Sequence, residues 1–161
     1  MAEKEGLTLV VFSGDKDKVL AALMMASGAL AMGQPVTLFF TFWGISLLRK
    51  KRPQAKGKLF VQKIFGYLLP KGTEHLPLSR LNFLGIGSFL MNYLLKKKKL
   101  SSISDLLKIL KEGGTTFYIC STCLEMLGIQ LEELEPFFVE KQCGAAKFIE
   151  IAMQSGLCLF I

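Results

Sequence analysis

Residues 7–40 constrain the fold of this chain more than any other stretch. Residues 7–12 (LTLVVF) are an unbroken apolar run rich in β-branched side chains, closed by Ser13, Gly14 and Asp15, which is the pattern of a strand buried on both faces. Leu20, Leu23, Met24, Ser27 and Ala31 then recur at helical spacing, and Ala22, Met25, Ala26 and Ala29 make the other face nearly as apolar. Gly33 stands where a helix end needs a left-handed residue, and Pro35 prevents continuation. Residues 36–40 (VTLFF) are a second buried run. A strand, a helix and a strand in such close succession pair their strands in parallel through a right-handed crossover.

The last third repeats this alternation. Ser102 caps a helix with Asp105 three residues later, and Ile103, Leu106, Leu107 and Leu110 form its apolar stripe before Gly113 and Gly114 stop it. Residues 115–119 (TTFYI) read as a strand, and Leu124, Leu127 and Leu131 as the face of a following helix. Pro136 introduces a short strand at 137–139. Ala145, Phe148, Ile149, Ala152 and Met153 make a last helix closed by Gly156, and LCLFI is a terminal strand. The pattern predicts one domain over residues 1–161, an α/β three-layer α/β/α sandwich on a mostly parallel five-stranded sheet. A chain of 161 residues buries enough surface to need neither disulfides nor a structural metal.

Between the readable ends lies a basic loop and apolar insertion at about 49–99. A short helical stretch at 45–52 (ISLLRKKR) runs into Pro53, and 54–63 (QAKGKLFVQK) reads as a polar loop. Residues 64–70 and 81–95 are apolar without clean periodicity. The second run is shorter than the roughly 20 residues of a spanning helix and carries Asn82, Ser88 and Asn92. Burial against the sheet or a neighbouring subunit is therefore expected, and a hydrophobic content of 51% points to a homo-oligomer. Thirteen of the 20 lysines and arginines lie between Arg49 and Lys99, where Glu74 is the only acid. Such a middle suits nucleic acid, an anionic membrane surface met peripherally or an acidic protein partner, or is a solvated loop with helix ends; no nucleic-acid partner is expected. The N-terminus shows no secretory signal, and four irregularly spaced cysteines do not make a secreted disulfide framework, so a cytoplasmic protein with reduced thiols is expected.

Those cysteines carry the candidate chemistry. Residues 118–129 (YICSTCLEMLGI) hold a C-x-x-C that can serve as a redox pair, half a metal site or a nucleophile with a neighbour, or can be incidental. In an open parallel sheet, ligands bind beyond the carboxyl ends of the strands, and Cys120 falls there. A helix starting at Ser121 or Thr122 would aim free N–H groups and its positive dipole end at the Cys120 sulfur, favouring the thiolate. Cys123, three residues on, can share its face. Metal binding is weaker, because Cys143 and Cys158 form no second close pair. Cys143 reads as a structural residue at the start of the last helix, and Cys158 as packed within the terminal strand. Trp43, in a loop at a strand end, is either the wall of a pocket beside Cys120 or a packing residue. The chain has no G-x-G-x-x-G, no phosphate-binding loop and no G-x-S-x-G, its lone His75 precludes a multi-histidine site, and no cofactor is expected.

The run FSGDKDKVLAALMMASGALAMGQPVTLFFTFWGISLLRK, the stretch LSRLNFLGIG, and YICSTCLEMLGI followed by CGAAKFIEIA resemble the DsrE/DsrF-like proteins over nearly the whole chain. Within them they are similar to a branch that includes membrane-anchored forms. The resemblance implies a parallel five-stranded α/β fold, homo-oligomers, and sulfur transfer through a cysteine persulfide handed between carrier proteins. It places the persulfide on Cys120, in a pattern like C-S-M-S-M-D-L-M-G-I, and puts Cys123 where many members carry serine. The expectation is a sulfurtransferase or sulfur carrier with Cys120 and Cys123 at its centre, supported by Lys16, Trp43 and Thr122, and working between a sulfur donor and an acceptor protein. A C-x-x-C thiol-disulfide enzyme is the alternative, without the W-C-G-P-C context of thioredoxins; a non-enzymatic protein of membrane surfaces or interactions is another.

Overall fold

The structure is a computed structural model that describes residues 5–50, 59–74 and 76–161. Five strands, β1 (Leu7–Val11), β2 (Val36–Phe40), β3 (Thr116–Cys120), β4 (Lys141–Cys143) and β5 (Leu157–Phe160), pair in the order β4-β3-β2-β1-β5. Every pairing is parallel. The helices are α1 (Lys16–Ala31), α2 (Phe60–Leu68), α3 (Ile86–Lys97), α4 (Ile103–Glu112), α5 (Ser121–Leu127) and α6 (Ala145–Gln154), with a 3-10 helix over Phe42–Leu48. The expected α/β architecture is thus the one found.

Chain direction decides which face each helix covers. Passing from β1 through β2 and β3 to β4 steps one way across the sheet, and α6 carries the chain back to the far edge, so right-handed crossovers put α6 opposite α1 and α4. The α1 and α4 side is the dense one: Leu9, Val11, Leu38, Phe40, Phe117 and Ile119 are all buried, and the Phe40 and Phe117 rings sit 5.3 Å apart. On the other face Phe148 of α6 stacks on Phe39 at 4.7 Å. None of the α6 residues is buried, and Ile149, Met153 and Phe160 stay exposed, so that cover is thin.

Three expectations need correction. The short strand lies at Lys141–Cys143 and not at 137–139; there the chain turns, and Phe138 is spent on the core, its ring stacked 5.8 Å from Phe117. An edge strand paired on one side needs no apolar run, which is why KQC gave no signal. Cys143 accordingly ends a strand instead of starting the last helix. Cys158 is exposed, because β5 is the other edge and pairs with β1 alone.

The insertion also differs from expectation. Residues 60–63, read as loop, begin α2, while 51–58 and His75 lie outside the described residues. Neither α2 nor α3 is packed into the sheet: α2 buries no residue and α3 buries only Ser88. Polar residues of the apolar run, beside Leu95 packed against the core, hold α3 to the body. Ser88 donates to the Leu76 carbonyl at 2.8 Å, Asn92 accepts from Lys16 Nζ at 3.0 Å, and Asn82 accepts from the Leu78 N–H at 3.3 Å. Phe83, Leu84, Ile86, Phe89 and Leu90 point outward. Among the described residues no helix is long and apolar enough to cross a membrane.

A buried ion pair ties this insertion to the strand ends. Arg49 Nη2 lies 3.0 Å from Glu133 Oε2, both side chains 1% exposed, and the guanidinium also donates to the Gly66 carbonyl of α2. The backbone around it is paired too, with Lys50 N–H donating to Glu133 O and Glu135 N–H to Leu48 O, each at 2.8 Å. Removing one member of such a pair leaves the other charge buried and unpaired. Glu133→Ala is expected to lower stability in urea unfolding by about 3–5 kcal/mol, whereas Arg49→Met combined with Glu133→Leu recovers most of the loss.

Candidate functional site

Parallel pairing brings the ends of β2, β3 and β4 to one edge of the sheet, and each delivers a polar or thiol side chain there. Thr41 directly follows β2, Cys120 is the last residue of β3 and the residue that caps α5, and Cys143 is the last residue of β4. Cys120 and Cys143 are register partners. Cys123 enters from the first turn of α5, with its sulfur 3.1 Å from the Thr41 hydroxyl oxygen. Leu124 and Leu127 anchor α5 in the core, and Gly128, at φ 64°, takes the left-handed conformation that ends it. The three thiols are 6%, 4% and 7% exposed for Cys120, Cys123 and Cys143.

Burial dominates their electrostatics. It pushes the Cys120 thiol up from its ordinary value, while the backbone N–H of Cys123 and the Thr41 side chain pull it down and the Cys123 thiol raises it further. The first turn of α5 therefore acts as expected on Cys120, but desolvation outweighs it, and the resting group is a thiol rather than a thiolate. Burial likewise pushes Cys143 up, the nearby Cys120 adds to this, and Lys147 of α6 opposes it.

The remaining predicted residues make other contacts. Lys16 is buried at the first residue of α1 with its ammonium group on Asn92, desolvation lowering its pKa, and it lines grooves with Glu74, Asn92 and Ser88. Trp43 packs near Phe42 and Phe65 and lines a groove with Phe12, Asp15, Ser46 and Pro77. Thr122 is adjacent to the thiols in sequence but exposed. The structure so joins Cys120 and Cys123 to each other and to Thr41 and Cys143, and sets Lys16 and Trp43 on other elements. Thr41 was findable as the first residue beyond a buried strand. Cys143 was not, because its position depends on where β4 pairs.

A groove of 780 Å³ opens between Gly6, Leu7, Gln34 and Leu157, at the strand starts. It is at the edge opposite the one where α/β sheets bind ligands, and it holds no thiol. Among the described residues, no group of three or more His, Cys, Asp or Glu is arranged to hold a metal ion. What the site offers is sulfur nucleophiles in a dry setting, with a hydroxyl and a helix amide to stabilise an anion formed there. Alkylation of Cys120, followed by peptide mass, is expected to report an apparent pKa above the ordinary 9.0 of a thiol, so its rate climbs steeply with pH. Thr41→Val, which removes a stabilising hydroxyl, should shift that profile to still higher pH.

The chain resembles known proteins along its length. The DsrE/DsrF/DrsH-like family model matches residues 3–160. A Bacillus subtilis protein, the uncharacterized protein YrkE, is 35% identical over 154 residues, covering 96% of this chain and 95% of that protein. The sulfur carrier protein DsrE2 of Allochromatium vinosum is 28% identical over 165 residues, covering 99% of each. Matched over nearly all of its length, the chain belongs to the DsrE/DsrF/DrsH-like family.

Proposed function

We propose that this chain is a sulfur carrier, acting as a sulfurtransferase that holds a persulfide on Cys120 and relays it to the thiol of an acceptor protein. The observation that carries this reading is the buried Cys120 thiol at the end of β3, with the Thr41 hydroxyl and the Cys123 amide acting to stabilise its anion. It is supported by the relative named as a sulfur carrier. The Cys120 sulfur attacks the outer sulfur of a donor persulfide, forming one S–S bond, breaking another and releasing the donor as a thiol. An acceptor thiolate then attacks the outer sulfur of the Cys120 persulfide and restores the Cys120 thiol. Neither step changes the net oxidation state, and neither needs a cofactor. Burial keeps the persulfide away from solvent oxidants. The lysine-rich surface gives an acidic donor or acceptor protein a docking face, and the reading places the chain in the cytoplasm, where thiols stay reduced.

Intact mass after exposure of the reduced protein to a persulfide donor tests it: wild type and Cys123→Ser gain about 32 Da, one sulfur atom, and Cys120→Ser does not. Uptake that follows Cys123 instead would move the carrier role to that residue, and a C-x-x-C disulfide formed with no sulfur taken up would favour the redox alternative.

A second reading, attachment at a membrane surface, is favoured by α2 and α3. They expose Phe60, Tyr67, Ile86 and Phe89 within the same basic segment as Lys96, Lys97, Lys98 and Lys99. As a carrier, the chain would instead cover these apolar faces with further copies of itself. Sedimentation velocity, with and without vesicles containing anionic lipid, separates the two: a salt-resistant oligomer indifferent to vesicles supports the carrier assembly, and salt-sensitive co-sedimentation of a monomer supports the membrane reading.

A further inference from the structure

A persulfide on Cys120 would not be alone at the strand ends, because the carrier reading leaves two buried thiols, Cys123 and Cys143, without a task. Cys143 pairs in register with Cys120 across the parallel β3–β4 ladder, so both side chains leave the same face of the sheet. The pair two residues earlier has that orientation as well: Lys141 is the register partner of Tyr118, and its Nζ lies 5.6 Å from the Tyr118 ring centre. Neighbouring strands run about 4.8 Å apart, inside the roughly 4.4–6.8 Å Cα separation over which two cysteines can be bridged without moving the backbone.

Three features favour Cys143 over Cys123 as the partner of Cys120. The Cys123 thiol, although it also interacts with Cys120, is held by the Thr41 hydroxyl at 3.1 Å. The backbone at Cys143 can adjust, since β4 is a three-residue edge strand and Gly144 after it has open space where a Cβ would stand. Lys147, one turn into α6, carries a positive charge that acts on Cys143 and offsets a negative charge forming there.

We propose that Cys143 is a resolving thiol, which closes a disulfide with Cys120 and expels the carried sulfur as hydrosulfide. This rests on the reading of Cys120 as persulfide carrier. The Cys143 sulfur attacks the inner, Cys120-bonded sulfur of the persulfide anion. A bond forms between the two cysteine sulfurs, and the bond to the terminal sulfur breaks. The electron pair leaves with that terminal sulfur, which takes the Cys143 proton and departs as HS⁻. The two cysteine sulfurs are oxidised to a disulfide as the sulfane sulfur is reduced, so no outside oxidant is consumed; a dithiol reductant returns the pair to thiols. Carried sulfur then has two exits, transfer to a docked acceptor thiol or release as sulfide when none is bound.

The test loads reduced wild type, Cys143→Ser, Cys143→Ala and Cys123→Ser with glutathione persulfide, desalts them, and follows intact mass and free sulfide. Wild type and Cys123→Ser should pass from the species about 32 Da heavier to one about 2 Da lighter than the reduced chain, with one equivalent of sulfide and a Cys120–Cys143 linked peptide. Both Cys143 variants should keep the added sulfur at least about tenfold longer and release no sulfide on that timescale. Sulfide release from the Cys143 variants at the wild-type rate, a linkage of Cys120 to Cys123, or stable retention of sulfur by wild type would each overturn the resolving role while leaving the carrier reading intact. Failure of every form to take up sulfur would overturn both.

Discussion

Parallel strand pairing is the constraint from which the rest of this molecule follows. Strands that all run one way cannot be joined by tight turns, so each connection must cross a face of the sheet and leave a helix there. Those helices bury Leu9, Leu38, Phe40 and Phe117 on one side and rest more loosely, through Phe148 on Phe39, on the other. The same direction gathers every strand's carboxyl end at one edge. Thr41, Cys120 and Cys143, far apart in the chain, meet there for that reason alone. The Arg49–Glu133 pair closes the edge by joining the exit of β2 to the approach to β4, with α2 drawn in through Gly66. A buried pair of this kind adds little net stability over apolar packing, but its geometry allows few alternatives.

Burial shapes the chemistry of that edge in two opposing ways. A thiol cut off from water is a poorer anion, and this outweighs the help that Cys120 draws from Thr41 and the start of α5. The same enclosure protects a sulfur adduct once it forms and keeps neighbouring thiols from wandering into unwanted partners. The outer surface follows a different logic. In α3 Ser88 and Asn92 face the body beside Leu95, while Ile86, Phe89, Leu90, Tyr93 and Leu94 stay exposed, an apolar surface that its own sheet does not cover.

Strand and helix identity was legible wherever burial was complete on the sheet. The runs LTLVVF and VTLFF became β1 and β2 nearly to the residue, and the Ser102 and Asp105 capping box opened α4 as read. Legibility failed at the β4 edge, whereas LCLFI at the other edge became β5 as read. Lys141–Cys143 carries no apolar pattern because an edge strand pairs on one side only, and the more strand-like FFV before it is a turn whose Phe138 fills the core. It failed again in α2 and α3, whose apolar residues mark an outward surface and so mislead a rule that equates apolar with inside.

By itself the sequence determined the β1-α1-β2 unit, α4, and the placement of Cys120 at a strand end before a helix, because each depends on residues close together in the chain. Only the tertiary structure decided what surrounds that sulfur. Cys143 stands beside it by virtue of ladder register, Thr41 reaches the Cys123 thiol from the neighbouring strand, Lys16 turns to Asn92, and Trp43 packs near Phe65. Register and crossover path are set by the packing of the whole sheet, and no local spacing encodes them.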